Sequence, residues 1–432
     1  MCLDHMQKVK QFFSKIWASD ELRRKVGFTL MIFVVARLLA SVPLPLIDTA
    51  MLQTIFANDE FLSLLNIVAG GTLSSFSLVA VGISPYITAS IVIQLLTFVW
   101  PALKEMQKDG EKGRAQLNQY TRVLSLPVAI IQSLSMIAIL RSTGLIAEGG
   151  WQTVTILVFF MTVGSFIMLW LSELIGAHGI GNGTSMIMVL GIISNFPTTL
   201  GQVWSLSDTG EWMQLILIIV GIVAVVGVIV LMDQAVRKVV IQYAKRIQGN
   251  RQVGGQTSFF PIKLNSVGVM PIIFAVTLMS IPSFVGRALS SLQDETWVKV
   301  GDTLQQWFSQ TNPWYMVAYF LIVFVFSYFS ALLFFDTKDI SEELKKSGAF
   351  VPGIRPGGKT AAYLETIVKR LTFVDGIFLG AIAILPFVLQ RMTGMSNLAI
   401  GGTSLLIAVS VVLEVNKIVE GTAVEQNYDQ YL

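Results

Sequence analysis

The chain has 432 residues, of which 53% are apolar and only 13% charged, with a net charge of +3 and a mean hydropathy of +0.68. Soluble proteins carry about 25% charged residues, so this composition excludes a soluble globular protein and indicates an integral membrane protein. The single Cys2 excludes an internal disulfide, and two isolated histidines, His5 and His178, provide no ligand set for a metal. We expect no metal and no cofactor.

Apolar segments fill the chain and leave no room for soluble domains. A helix needs about 20 apolar residues to cross a hydrocarbon core of about 30 Å. Ten segments fit this requirement, five in each half, near residues 26–42, 76–99, 121–140, 153–173, 183–200, 212–232, 266–285, 314–335, 371–390 and 399–417. The sequence therefore predicts one all-α helical bundle.

Residues 61–75 form an apolar segment that is too short to cross a membrane and contains Gly70-Gly71. Such a segment folds back into the membrane only where it is buried in protein or lines a cavity, which would place it in the middle of the bundle. The alternative is a half-helix lying on the outer leaflet. The residues alone leave both alternatives open.

A nine-residue pattern, V-G-x-x-P-x-I-x-A, occurs at residues 81–89 and again at 267–275. The two copies fall in the second and seventh predicted spans, which cross the membrane in opposite directions. We predict that Pro85 and Pro271 each remove a hydrogen bond within these spans and loosen the helix. Corresponding proline-interrupted helices in two inverted halves indicate a central pathway between the halves.

The positive charges predict the orientation, because Lys and Arg accumulate in cytoplasmic loops. With the N-terminus inside, most of the 30 Lys and Arg fall in cytoplasmic segments, and both termini are cytoplasmic. The outside segments hold only Arg141, Arg287, Lys299 and Arg391, and Arg37 falls within the first span.

Two cytoplasmic loops are long, residues 233–265 and 336–370. In the first, V-V-I-Q-Y-A-K-R predicts a strand, and Gly249-Asn250 predicts a turn before a returning arm. In the second, Arg355-Pro356-Gly357-Gly358 has Pro and Gly at the central positions of a type II turn, which would present Arg355 at the tip. These basic loops are either a solvated face or a docking surface.

The chain contains no motif of a hydrolase, metalloprotease or nucleotide-binding enzyme, so we expect no enzymatic activity. An ion-coupled transporter carries ionisable residues near the middle of the membrane, whereas the acidic candidates, Glu173, Asp233, Asp375 and Glu414, lie near predicted helix ends. The middle of the predicted spans contains aliphatic residues instead. Periodicity alone assigns its isoleucines to an ordinary core.

Six stretches in order along the chain resemble the SecY family, whose members form the central subunit of the bacterial protein-export channel. The stretches are G-I-S-P-Y-I-T-A-S-I-V-I-Q-L-L from Gly82, N-Q-Y-T-R from Asn118, G-I-G-N-G-T-S from Gly179, G-G-Q-T-S-F-F-P-I-K-L-N from Gly254, K-K-S-G-A-F-V-P-G-I-R-P-G from Lys345, and I-G-G-T-S-L-L-I from Ile400.

The resemblance implies two inverted five-helix halves, residues 1–200 and 201–432, around a central hourglass pore closed by a plug. The constriction ring of the pore would consist of Ile83, Ile87, Met188, Ile192, Ile273 and Ile407. Met188 departs from the usual branched aliphatic residue, but a flexible thioether can still seal a ring. The plug, near residues 61–75, would include Phe61, Leu64, Leu65, Ile67, Gly70 and Gly71.

The resemblance also implies a lateral gate, with spans two and seven at its edges and spans three and eight opposite. Its polar residues would be Gln94, Gln132 and Asn265. The long loops would dock a motor or a ribosome through Lys245, Arg246, Arg251 and Arg355.

The implied function is a channel in the bacterial plasma membrane that passes unfolded secretory chains and releases hydrophobic segments into lipid. The implied partners are the SecE and SecG subunits, the SecA motor ATPase, the ribosome, chains that bear a signal sequence, and membrane lipid, but no DNA. Two alternatives stay open. One is an accessory paralogue of the same family with dedicated substrates, and the other is an inverted-repeat secondary transporter.

Overall fold

The computed structural model describes residues 19–44, 76–142, 150–208, 212–243, 246–248, 251–253, 257–265, 268–290, 294–309, 312–393 and 401–429. Helices make up most of these residues. In the first half they are α1 (Asp20–Ser41), α2 (Ser84–Val99), α3 (Pro101–Lys108), α4 (Gly110–Ser142), α5 (Trp151–His178) and α6 (Gly183–Asp208). In the second half they are α7 (Trp212–Gln234), α8 (Met270–Ser290), α9 (Glu295–Trp307), α10 (Pro313–Phe334), α11 (Thr337–Lys346), α12 (Gly358–Thr393) and α13 (Gly401–Asp429).

Each of the ten predicted segments overlaps one of these longer helices, which confirms a predominantly helical fold. Three described stretches are long and apolar enough by themselves to cross a membrane: Gly110–Ala138, Trp151–His178 and Pro313–Ala331. A fourth candidate joins Ser84–Thr97 to Pro101–Gln107 with a bend of 108°. Pro101 lacks an amide hydrogen and begins the new helix, which explains the bend. That all ten predicted segments cross the membrane remains a prediction.

The helices of the two halves pack in the same order. In the first half α2 packs on α4, α4 on α5, and α5 on α6. In the second half α8 packs on α10, α10 on α12, and α12 on α13. The halves meet where α13 contacts α6 and where α8 contacts both α2 and α4. This matching order supports an internal repeat.

Five short strands lie in the two long loops, which corrects the all-α prediction. They are β1 (Val236–Tyr243), β2 (Arg246–Gln248), β3 (Arg251–Val253), β4 (Thr257–Lys263) and β5 (Ala349–Phe350). The predicted strand and returning arm are confirmed, since β1 pairs antiparallel with β4 from Val236↔Lys263 to Gln242↔Thr257. Gln248 pairs with Arg251 between β2 and β3, and the predicted turn at Gly249-Asn250 lies outside the described residues.

The two loops form one folded unit. Strand β5 of the second loop pairs with β1 of the first, which gives the strand order β4-β1-β5. Beneath the sheet, Val239, Ile241 and Ile262 share an apolar cluster with Val351 and with Leu364 of α12. This cluster fixes the sheet to the start of α12.

Candidate functional site

The two copies of the nine-residue pattern fold into the same turn and helix start. The amides of Tyr86 and Ile87 donate to the Ile83 carbonyl at 3.1 and 3.2 Å. In the second copy, the amides of Ile272 and Ile273 donate to the Val269 carbonyl at the same two distances, 3.1 and 3.2 Å. The repeat read from the sequence is therefore a repeat of structure.

The prediction that Pro85 and Pro271 interrupt their helices is wrong. Each proline is the second residue of its helix, α2 or α8, and residues 76–83 of the second predicted span form turns. The first amides of a helix have no partner within it, so proline costs no hydrogen bond there. Gly82 and Gly268 precede the helices with φ of 58° and 69°, a region that side chains with a Cβ rarely adopt. The pattern is a helix-start signal.

This geometry brings the two helix starts together in one apolar cluster. Ile83, Ile87, Met188 and Ile273 are 1%, 6%, 6% and 8% exposed, and all four belong to it. Ile407 of α13 is half-buried and packs against it. Ile192 follows Met188 by one helical turn and is half-buried, but it is not among the described members of the cluster.

Among the described residues, the buried members of the cluster come from six helices of both halves. Besides α2, α6, α8 and α13, Ile32 and Ala36 of α1 and Met168 and Ile175 of α5 contribute to it. The buried members of the cluster are all apolar, chiefly isoleucine, valine and methionine with Phe274, so they impose no fixed hydrogen-bond geometry on the contact between the halves.

A family model matches most of the chain. The model is that of SecY, and it matches residues 77–416. The chain belongs to the SecY family. A curated relative from Streptomyces coelicolor, named protein translocase subunit SecY, is 37% identical over 443 residues, which cover 97% of this chain and 99% of the relative.

Solved channels share the fold. A SecY structure whose plug domain is described as stabilising the closed state has a TM-score of 0.65 at 18% identity, covering 92% of this chain and 91% of that one. The channel of the canine ribosome–channel complex from the endoplasmic reticulum has a TM-score of 0.61 at 17% identity, with the same coverage. The SecY plug predicted at residues 61–75 lies outside the described residues.

The three predicted gate residues lie on α2, on α4 and just before α8, and these three helices contact one another. Gln132 of α4 donates from Nε2 to Thr88 Oγ1 of α2 at 3.3 Å, and Gln94 donates to Ser90 Oγ at 3.2 Å within α2. Asn265 is buried, and its Oδ1 accepts from the Gly268 amide at 2.7 Å. Asn265 therefore fixes the turn that begins α8.

The structure describes the four predicted docking residues to different extents. Arg355 is exposed between two Pro-Gly turns, and Gly353 and Gly357 in those turns have φ of 80° and 100°. The Arg355 carbonyl accepts from Thr360 Oγ1 at 3.0 Å, which ties the loop to the start of α12. Arg246 and Arg251 have their backbones in the hairpin of β2 and β3, and Lys245 lies outside the described residues.

The first of these turns, at Pro352-Gly353, is a functional feature that the sequence analysis missed. The Ile354 amide donates to the Val351 carbonyl at 3.1 Å across it. Its signal was readable, since Pro followed by Gly is the same type II pattern that predicted the turn at Pro356-Gly357. The two turns lie on either side of Arg355 in the chain.

The carboxylates considered for ion coupling lie outside the central cluster. Glu173 of α5 pairs with Arg122 of α4 at 2.6 Å, and Asp233 of α7 pairs with Lys417 of α13 at 2.9 Å. Asp375 is buried in α12, and Glu414 is exposed. None of these four carboxylates belongs to the described part of the central cluster.

Proposed function

We propose that this SecY-family chain is the channel subunit of a protein translocase in the bacterial plasma membrane, and that it acts as a conduit and not as an enzyme. The observation that carries the proposal is the central cluster, which holds Ile83, Ile87 and Ile273, the repeat counterpart of Ile87, at two matching helix starts. The name of the Streptomyces coelicolor relative, protein translocase subunit SecY, supports the same function.

A channel for unfolded chains must accept every side chain, so it cannot use a charged filter. An apolar ring that closes around the passing chain meets this need and dewets when empty. We assign the ring to Ile83, Ile87, Met188, Ile192, Ile273 and Ile407, set at the waist of an hourglass between halves 1–200 and 201–432. Residues 61–75 would form the plug against it.

Lateral release requires a seam between the halves. We assign the seam to the contact between α2 and α8, with α4 and α10 beside it, and its polar residues to Gln94, Gln132 and Asn265. Of these, Gln132 bonds from α4 to Thr88 of α2. A hydrophobic segment in the pore gains free energy by passing through this seam into lipid, whereas polar chain continues across. The carboxylates that a transporter would use lie elsewhere, which favours this function over solute transport.

The proposed partners follow from what this chain lacks and what it exposes. It has no nucleotide-binding motif, so the energy for export comes from the SecA motor or the ribosome, bound at the cytoplasmic unit around Arg355, Arg246, Arg251 and Lys245. SecE and SecG would complete the translocase.

Reconstitution tests the proposed function directly. The full chain, assembled with SecE, SecG and SecA in vesicles, is expected to carry a signal-bearing chain to a protease-protected position when ATP is present. The same vesicles without SecA provide the control. A saturable flux of a small solute without any protected polypeptide would instead identify a secondary transporter.

Labelling of single cysteines tests the orientation, with Cys2 changed to Ser. A cysteine replacing exposed Lys359 is expected to react with an impermeant reagent only from the cytoplasm, and one replacing exposed Gln306 only from outside, because the basic loops are retained inside. Labelling of position 359 from outside contradicts the proposed orientation.

Arg355→Glu is expected to slow motor-driven export by about tenfold or more, since losing one charged contact of about 1.4 kcal/mol has that effect. The side chain is exposed, so the variant should fold and insert normally. Export rate and membrane abundance are measured together. Lys299→Glu, an exposed charge reversal on the opposite side, serves as the control, and an unchanged export rate in Arg355→Glu refutes the docking role.

A further inference from the structure

Helix α9, which no part of the sequence analysis predicted, is amphipathic. Trp297, Val300 and Trp307 are 51%, 42% and 54% exposed, and their spacing places them, with half-buried Leu304, on one face. Lys299 and Gln306 are exposed on the opposite face, where Lys299 pairs with Glu295 at 2.8 Å. We call Trp297, Val300, Leu304 and Trp307 the tryptophan stripe. An exposed stripe with two tryptophans requires an explanation.

A third face of α9 is joined tightly to α8. A Cβ added to Gly301 would lie 2.6 Å from the Gly286 carbonyl oxygen, so the two backbones are in direct contact. Next to this contact, the Ser290 hydroxyl hydrogen-bonds Asp302 Oδ1 at 2.9 Å and accepts from Gln305 Nε2 at 2.8 Å. Glycine contact and hydrogen bonds together make α8 and α9 one rigid hairpin.

The other end of α9 is joined to the start of α10. Asn312 donates from Nδ2 to the Gln306 carbonyl at 3.3 Å and accepts from the Trp314 amide at 3.0 Å. The Trp307 and Trp314 rings meet edge to face, with centroids 6.4 Å apart. Trp314 lies in the first turn of α10, whose stretch Pro313–Ala331 is long and apolar enough to cross a membrane. Trp307 of the tryptophan stripe therefore contacts the first turn of a helix that is long and apolar enough to cross a membrane.

We propose that α9 lies in the lipid headgroup region of the leaflet where α8 ends and α10 begins, with its tryptophan stripe towards the acyl chains. Tryptophan prefers this boundary because its ring is apolar and its N–H needs a polar partner. The paired charges of Glu295 and Lys299 then face water, as in helices that lie in the membrane plane.

The placement of α9 in the headgroup region affects how the proposed gate would open. Ile273 of the ring lies near the start of α8, and the contact between Gly286 and Gly301 lies near its end. Because α8 and α9 form one rigid hairpin, an outward movement of α8 carries the tryptophan stripe through the headgroup region. The lipid surface thus contributes to the balance between the closed and open gate. This placement rests on the proposed channel only in treating α10 as a membrane-spanning helix.

Nitroxide probes on single cysteines test the placement. With Cys2 changed to Ser, Val300→Cys and Trp307→Cys report on the stripe, and Lys299→Cys and Gln306→Cys report on the opposite face of the same helix. The full chain with its copurifying subunits is placed in vesicles of phosphatidylcholine and phosphatidylglycerol. Collisions of each probe with oxygen, which concentrates in lipid, and with a nickel chelate, which stays in water, are then measured.

We expect oxygen collisions to predominate at 300 and 307 and nickel-chelate collisions to predominate at 299 and 306. Val300→Cys keeps the Trp307–Trp314 contact, so the stripe is still tested if Trp307→Cys fails to fold. Predominant nickel-chelate collisions at 300 overturn the proposal. Low collision with both reagents at 300 also overturns it, because a second copy or a partner subunit would then cover the stripe. If the reconstituted vesicles transport no polypeptide, the proposed channel function is refuted. The four collision measurements still test the placement of α9 in that case.

Discussion

Replacement of Ile273 by asparagine is expected to open an ion leak through the resting channel while the protein stays abundant. Ile273 is 8% exposed in the central cluster, to which Ile83, Ile87 and Met188 also belong. If the cluster is a gasket, an amide at this position meets a pore that can hydrate, so it keeps its hydrogen bonds to water. The closed state then loses stability relative to the open state.

The lower stability of the closed state should also allow chains with weaker signal sequences to be transported. With the closed state destabilised, a chain with a weakened signal sequence can open the gate, so export of such chains is expected to rise. Resting conductance in planar bilayers, export of a weak-signal substrate and membrane abundance are measured on the same preparations.

The neighbouring residue provides a matched control. Ile272 is 1% exposed, but it belongs to a second apolar cluster within the C-terminal half, with Tyr319 and Leu379. An asparagine there is buried without partners at a cost of about 1 to 3 kcal/mol, so Ile272→Asn should lower abundance without adding conductance. If Ile273→Asn behaves in the same way as Ile272→Asn, the central cluster is an ordinary core and the ring assignment fails.

Apolar length predicted the helices well but their ends poorly. The fourth helix begins at Gly110, whereas its predicted span begins at 121. Residues 110–120 are mostly charged or polar, so hydropathy excludes them, although Glu, Lys, Arg and Gln are good helix formers. Hydropathy reports where a helix meets lipid, not where its hydrogen bonds end.

The repeat was predicted correctly, and the role of its prolines was not. Continuous apolar sequence conceals the turn at residues 76–83, because a buried turn is as apolar as a buried helix. The signal that could have located it is Gly82 or Gly268 three residues before a proline, since glycine permits the positive φ and proline favours the first turn of a helix.

The sequence analysis did not predict the long-range pairing of strands between the two loops. The strand V-V-I-Q-Y is a local pattern, and it was predicted correctly. The pairing of Gln242 with Phe350, which joins the two loops into one unit, connects segments more than 100 residues apart and leaves no local pattern. The α9 helix is different, because its stripe at positions 297, 300, 304 and 307 has helical spacing and could have been recognised.

The second large effect is expected at Gly164 of α5, which lies against the backbone just before α2. A Cβ at Gly164 would overlap the Leu78 carbonyl oxygen and lie 2.7 Å from the Leu78 carbonyl carbon. That backbone cannot withdraw easily. Its Leu78 amide donates to the Val42 carbonyl at 3.0 Å, and the Leu44 amide donates to the Phe76 carbonyl at 3.0 Å. The segment is held between the end of α1 and α5.

Gly164→Ala is therefore expected to lower the free energy of unfolding by about 1 to 3 kcal/mol, the usual cost of overpacking, and Gly164→Leu to prevent accumulation. Gly221→Ala in α7 is the matched control, since its added Cβ meets nothing within 4 Å and alanine in a helix stabilises by about 0.5 to 1 kcal/mol. Thermal unfolding of the purified channels should show opposite shifts for the two alanine variants. Because the displaced segment leads directly to Gly82 and Ile83, surviving Gly164→Ala channels should also conduct ions at rest. A Gly164→Ala protein as stable as Gly221→Ala would show that the segment before α2 yields freely and does not position the ring.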